Sequence, residues 1–255
     1  MIFDTHAHYE DSAFDADRDE LISGLADAGI CKVMDVASTL ESIDQVLAVA
    51  HRYPGFYAAL GIHPQECAPM TMQHLEEIRG KLRDPKVLAV GEIGLDYHWD
   101  TPGRDLQKLW FRRQVILAME ENKPIIVHSR DAAQDTYEIL SRMHAEQTGG
   151  VIHCFSYSVE MAEKFLDLGF FIGIGGVVTF KNARKCREVV EAIPLTSIVL
   201  ETDCPYMAPV PHRGERNCSL YLPLVAEAIA ELKHVTPEEV CEQTRENAER
   251  LYRIS

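Results

Sequence analysis

Apolar residues in this chain gather into eight short runs, at 2–8, 32–37, 56–62, 87–93, 124–128, 150–155, 170–174 and 198–202. Most are apolar at successive positions, which predicts strands covered on both faces. The segments between them change period. Leu21, Ile22 and Leu25 share one face of a helix predicted over 18–28, and Ile43, Val46, Leu47 and Ala50 do so over 41–52. The same spacing predicts helices over 75–82, 106–122, 132–146, 161–168, 184–192, 221–232 and 237–252, with Gly169 a helix stop. Thr236-Pro237-Glu238-Glu239 reads as an N-cap, a first-turn proline and acidic first-turn residues. Strand and helix alternate from end to end, so a parallel sheet wrapped by helices is expected. Eight repeats predict closure into an α/β fold of the (β/α)8 TIM-barrel type, one domain over 1–255. A doubly wound open sheet is the alternative.

Polar residues at the ends of these runs decide between the two. His6 and His8, Glu92, His128, His153, and Glu201 with Asp203 all stand at the C-terminal ends of strands one, four, five, six and eight. Side chains alternate across a strand, so His6 shares a face with His8, and Glu201 with Asp203. Catalytic groups of TIM barrels occupy that end of the strands. An open sheet could not bring its first, middle and last strands to one point. Four imidazoles with at least two carboxylates form a sulfur-free donor set suited to Zn, Mn, Mg, Fe or Co, and the carboxylate share points to more than one ion. Glu201 lies two residues deeper than Asp203 and is expected to orient a ligand rather than bind an ion. His63, ending strand three, is expected to contact substrate or protonate a leaving group. By alternation Cys154 and Cys204 turn away from the axis and pack as small apolar groups. His51, His74, His144 and His234 belong to helices or loops away from this rim.

Composition narrows the partners. The 255 residues carry a formal charge of −15, so no broad basic surface attracts nucleic acid, and a phosphate substrate must rely on metal ions and a few local cations. Seven irregularly spaced cysteines argue against a disulfide framework and fit a reducing, cytoplasmic setting. Polar Asp4, His6 and His8 in the first strand argue against a signal peptide, and no apolar run approaches the roughly 20 residues that span a bilayer. No membrane or obligate protein partner is expected.

His6-x-His8, Gly91-Glu92-Ile93-Gly94-Leu95-Asp96, His128-Ser129-Arg130, His153-Cys154-Phe155 and Glu201-Thr202-Asp203 together resemble the TatD family of metal-dependent DNases. Gly61-Ile62-His63-Pro64, Val178-Thr179-Phe180-Lys181 and Pro211-His212-Arg213-Gly214-x-Arg216-Asn217 extend the resemblance over nearly the whole chain. It implies a two-metal phosphodiesterase in which His6, His8 and Asp203 hold one divalent ion, His128 and His153 the other, and Glu92 bridges them. Mg²⁺ is the expected ion, with Zn²⁺, Mn²⁺, Ni²⁺ or Fe able to substitute. The implied substrate is DNA or another nucleic acid, cut 3′ to 5′. Cys218-Ser219 stands where the family usually has Glu-Pro.

In the mechanism this implies, Asp203 orients a water and takes its proton, and His63 serves the leaving 3′-oxygen. Arg130, Lys181 and Arg213, in the loops after strands five, seven and eight, are the expected phosphate contacts. Tyr97 and Trp99 could stack a terminal base. Competing readings keep the site and change the substrate: a deacylase of aminoacyl-tRNA, or a small-molecule amidohydrolase.

Overall fold

The structure, a computed structural model, describes residues 1–99 and 101–254. Its eight strands are β1 (Ile2–Ala7), β2 (Ile30–Val36), β3 (Phe56–Ala59), β4 (Val87–Asp96), β5 (Ile125–Arg130), β6 (Gly150–Ile152), β7 (Phe170–Ile174) and β8 (Ile198–Leu200). They pair in parallel in chain order, β1 to β8, as the alternating pattern predicts. The helices are α1 (Arg18–Ser23), α2 (Ser42–Arg52), α3 (Met72–Lys81), α4 (Arg104–Glu120), α5 (Ala133–Arg142), α6 (Val159–Asp167), α7 (Arg184–Ala192), α8 (Leu222–Lys233) and α9 (Pro237–Tyr252). Among the described residues no helix is long and apolar enough to cross a membrane. Strand existence matches the sequence reading, and the differences lie at the ends. The run at 150–155 is a strand only to Ile152, whereas β4 continues three residues past the predicted Ile93. The first helix stops at Gly24 rather than running to 28, and the fifth ends at Arg142, ahead of a left-handed His144.

The sheet curls until β1 meets the segment after β8. Asp203 N–H donates to His6 C=O at 2.9 Å, and His8 N–H donates to Cys204 C=O at 2.9 Å. Thr5 Oγ1 donates to Leu200 C=O at 2.9 Å. Behind this seam the buried Asp4 carboxylate accepts from Thr202 N, Thr202 Oγ1 and Ser219 Oγ, at 3.0, 2.7 and 2.6 Å. Ser219, at the position where the resemblance leads one to expect proline, gives its hydroxyl to this seam.

Two apolar layers hold the barrel. The larger lies between strands and helices. The smaller fills the interior with Phe3, Met34, Val36, Ala59, Ala89, Ile126, Val151 and Val199, and is capped by Leu251 and Tyr252 of α9. Tyr252 Oη donates to Thr5 C=O at 3.1 Å, satisfying the hydroxyl at the floor. From the interior residues, alternation leads directly to the site: Ile126 to His128, Val151 to His153 and Val199 to Glu201, with Asp203 brought in by its pairing to His6. On β1 and β4 it does not. Phe3 and Ala89 point inward, so strict alternation would put His6 and Glu92 outside. Register shifts between Asp4 and Ala7, and between Val90 and Ile93, exchange the faces and bring both inward.

Two glycine substitutions test this packing. A Cβ at Gly80, exposed in α3, meets nothing, so Gly80→Ala should raise stability by about 0.5–1 kcal/mol. A Cβ at Gly150 would overlap the Ile125 carbonyl of the adjacent strand, and Gly150→Ala should cost about 2 kcal/mol. Urea unfolding of both variants checks the opposite signs.

Candidate metal centre

The C-terminal mouth encloses a cavity of about 720 Å³ whose wall includes His8, His63, Glu92, Asp96, His128, His153, Glu201 and Asp203. Six strand ends therefore supply histidines or carboxylates to one space. His6 lies beneath them, fully buried.

The donor atoms fall into two groups. In the first, His6 Nε2 is 3.2 Å from His8 Nε2, 3.7 Å from Asp203 Oδ1 and 3.8 Å from Glu92 Oε2, and His8 Nε2 is 3.5 Å from Asp203 Oδ1. In the second, Glu92 Oε1 is 2.7 Å from both His128 Nδ1 and His153 Nε2, which are 3.4 Å apart. Atoms bound to one ion at about 2.1 Å stand roughly 3.0–3.4 Å from one another, and the donor separations here, 2.7–3.8 Å, bracket that spacing. Two imidazole nitrogens facing each other at 3.2 Å, with carboxylate oxygens around them, fit a shared cation. Glu92 offers one oxygen to each group.

Charge follows this arrangement. Burial pushes the Glu92 carboxyl up, but His153, His63 and His128 outweigh it and hold it well below the usual range. Asp203 likewise stays below its ordinary value, because hydrogen bonding to His8 overcomes burial. Burial drives His6 well down. His153 is pushed up to about 9, since the Glu92 charge exceeds the effect of burial. Burial raises Glu201 to about 7. Every predicted donor thus exchanges water for an opposite charge or another donor.

His63 is set apart. Its Nδ1 accepts the Gln65 N–H at 3.2 Å, which leaves Nε2 carrying the proton, 4.0 Å from Glu92 Oε1. Burial pushes it down to about 4, so at neutral pH it is a neutral donor facing the cavity. The phosphate contacts expected from sequence divide. Arg130 lies on the cavity wall. Lys181 is exposed outside the lining, and the Arg213 guanidinium sits 4.4 Å over the Phe180 ring. Tyr97 packs: its hydroxyl donates to Asp135 Oδ2 at 2.5 Å and Arg104 covers its ring at 4.3 Å. Trp99 is exposed.

Two points differ from the sequence reading. Cys204 is buried as expected, but Cys154 lies on the cavity wall, because φ of +47° at this residue breaks the strand alternation. Asp96 had been given no role, yet it is buried with Oδ2 3.2 Å from His128 Nε2. Ending the fourth strand at Ile93 hid it. Continued to its real end, β4 places Glu92, Gly94 and Asp96 on one face.

A parallel barrel with a histidine–carboxylate cluster at its C-terminal mouth defines a metal-dependent hydrolase. The family model for TatD related DNases matches residues 3–253, and the chain belongs to that family. It is 44% identical over 255 residues to the uncharacterized metal-dependent hydrolase YabD of Bacillus subtilis, with the whole of both chains covered. It is 35% identical over 257 residues to the uncharacterized metal-dependent hydrolase YcfH of Escherichia coli, covering 100% of this chain and 96% of that one. The crystal structure of YjjV, a TatD homologue from Escherichia coli, superposes with a TM-score of 0.94 at 35% identity, covering 100% of this chain and 98% of that one.

The His63 environment carries a pH signature in the metal-free protein. Its folded pKa lies below its unfolded one, so the unfolded chain binds more protons between about 4 and 6.5. Its contribution is present above 6.5 and is lost as pH falls toward 4. His63→Gln should flatten that part of the acid decline in stability, measured by urea unfolding from pH 4.5 to 7. An unchanged slope contradicts the assignment.

Proposed function

We propose that the protein is a divalent-metal-dependent phosphodiesterase that hydrolyses DNA from its 3′ end through a two-ion site. The observation that carries this reading is Glu92 presenting Oε2 to the His6–His8–Asp203 group and Oε1 to the His128–His153 pair. Paired ions so held would polarise the phosphoryl group and make water acidic near neutral pH, Mg²⁺ being the proposed native pair.

The remaining work falls to side chains. Asp203, ionised and partly open to the cavity, orients the attacking water and accepts its proton. His63 turns its neutral Nε2–H toward the departing 3′-oxygen. Arg130 on the wall takes a non-bridging oxygen of the scissile phosphate. Lys181 and Arg213, outside the cavity, meet flanking phosphates. Reliance on so few cations agrees with the −15 charge, which disfavours extended polyanion contact elsewhere. The seven free cysteines support action in a reducing cytoplasm. Glu92, where a carboxylated lysine is common in the wider amidohydrolase group, weighs against a small-molecule amide substrate. Deacylation of aminoacyl-tRNA is the second reading, favoured by Glu10, Asp11 and Glu66 on the cavity wall, whose charge suits an ammonium group.

A time course on 3′- and 5′-labelled oligonucleotides with Mg²⁺, Mn²⁺ or Zn²⁺, a chelator control and a parallel aminoacyl-tRNA assay separates these readings. Stepwise loss from the 3′ end supports the proposal, and release of amino acid alone supports the second. Asp203→Asn should keep at least one ion and lose about 10²–10⁴-fold in turnover. Wild-type turnover would remove Asp203 from the base role. Glu92→Ala should reduce the ions bound per chain in elemental analysis, and full occupancy would exclude a bridge.

A further inference from the structure

Each imidazole of the centre has one nitrogen that faces the other donors and one that faces away. The outward nitrogen decides the tautomer, and hence whether the inward one has a lone pair to give. His8 and His128 each have an acceptor of their own outward: Val36 C=O at 2.8 Å from His8 Nδ1, and Asp96 Oδ2 at 3.2 Å from His128 Nε2. His6 and His153 do not. The Nδ1 atoms of both are buried without a hydrogen-bond partner. Their rings stack at 4.0 Å, 14° from parallel, and one nitrogen of each shares a space no wider than 4.8 Å with a carboxylate oxygen of Glu201. Glu201 is itself 1% exposed, and its Oε2 is likewise unpartnered. Its Oε1 accepts the Cys154 N–H at 2.5 Å and lies 3.8 Å from His153 Nδ1.

We propose that Glu201 is one positioning carboxylate shared by both halves of the centre. It holds His6 and His153 together in the Nδ1–H tautomer and so leaves both Nε2 lone pairs directed inward, toward His8 and Asp203 on one side and Glu92 on the other. This goes beyond orienting a single ligand: one side chain sets the donor state of a histidine from each ion group. It rests on the metal reading proposed above. It also gives β7 a part. That strand contributes no donor, but a Cβ at Gly173 would overlap the Glu201 carboxylate and one at Gly175 would press on its backbone. Strand seven supplies the room in which the carboxylate lies.

The proposal makes an inverted prediction about size and chemistry. Glu201→Gln keeps the volume. Its carbonyl must take the Cys154 N–H, which leaves its amide hydrogens facing both Nδ1 atoms. Those nitrogens then accept, and the protons move to Nε2, the atoms the ions need. Glu201→Ala leaves the tautomers to solvent. In competition titrations of the full chain with Zn²⁺ against a chromophoric chelator, Glu201→Gln should weaken both ions by about 10–100-fold and be no milder than Glu201→Ala. His128→Ala, as a control, should affect chiefly one ion. A Glu201→Gln variant that binds both ions as the wild type does, or better than the Ala variant, overturns the proposal, because space-filling alone predicts that order. Thermal unfolding of the metal-free variants confirms that they are folded. Should Glu201→Gln not fold, Gly173→Ala displaces the carboxylate without removing it and must weaken both ions together, and wild-type affinity in that folded variant is equally fatal. A wild-type chain that takes up no Zn²⁺ sinks the metal reading itself, a result obtained before any substitution is made.

Discussion

The seam between β1 and the residues after β8 is the constraint on which the site depends. There the chain's first and last donors become neighbours through their own backbones, since His6 accepts the Asp203 N–H and His8 donates to Cys204. Side-chain approach then follows from backbone pairing rather than from a fortunate rotamer. Asp4, buried behind the seam with three hydroxyl or amide donors, ties β1 to Thr202 and Ser219 at the same height. An unclosed sheet would leave His6 and His8 on one edge and Asp203 on the other, with no complete first group for Glu92 to reach.

Burying so many ionisable groups works against folding, and the structure shows how the cost is contained. Carboxylates and imidazoles are interspersed around the mouth, with nitrogen–oxygen separations of 2.7–4.0 Å, and a low-dielectric surrounding strengthens the attraction. The compensation is incomplete. His6 Nδ1, His153 Nδ1 and Glu201 Oε2 have no hydrogen-bond partner among the protein groups. A core evolved only for stability would replace them with aliphatic residues. Their presence at the mouth, at the ends of β1, β6 and β8, marks the point where local stability yields to chemistry.

The barrel was readable because its strands are buried on both faces and its helices on one, and those two periods are hard to confuse over eight repeats. The convergence of these side chains was readable for a related reason: a histidine or carboxylate closing an otherwise apolar strand has few structural explanations. Strict alternation was the part that misled. It carries Ile126 to His128 and Val199 to Glu201, but on β1 and β4 it would send His6 and Glu92 out among the helices. Register shifts correct this, and nothing in the residue types at 4–7 or 90–93 announces them. Cys154 failed in the same way, through a left-handed backbone that a β period cannot represent. Asp96 was lost to a strand boundary three residues short. Lys181 and Arg213 lie outside the cavity lining, a distinction that loop membership alone does not make.

Tyr252 and Leu251 give the site a further property. With α9 stopping the floor and Phe3, Ile126 and Val199 filling the shaft above it, the barrel is a well rather than a tunnel. Whatever reaches the donors must back out the way it came. Entry and departure therefore share one opening at the rim, on the side of the barrel opposite α9.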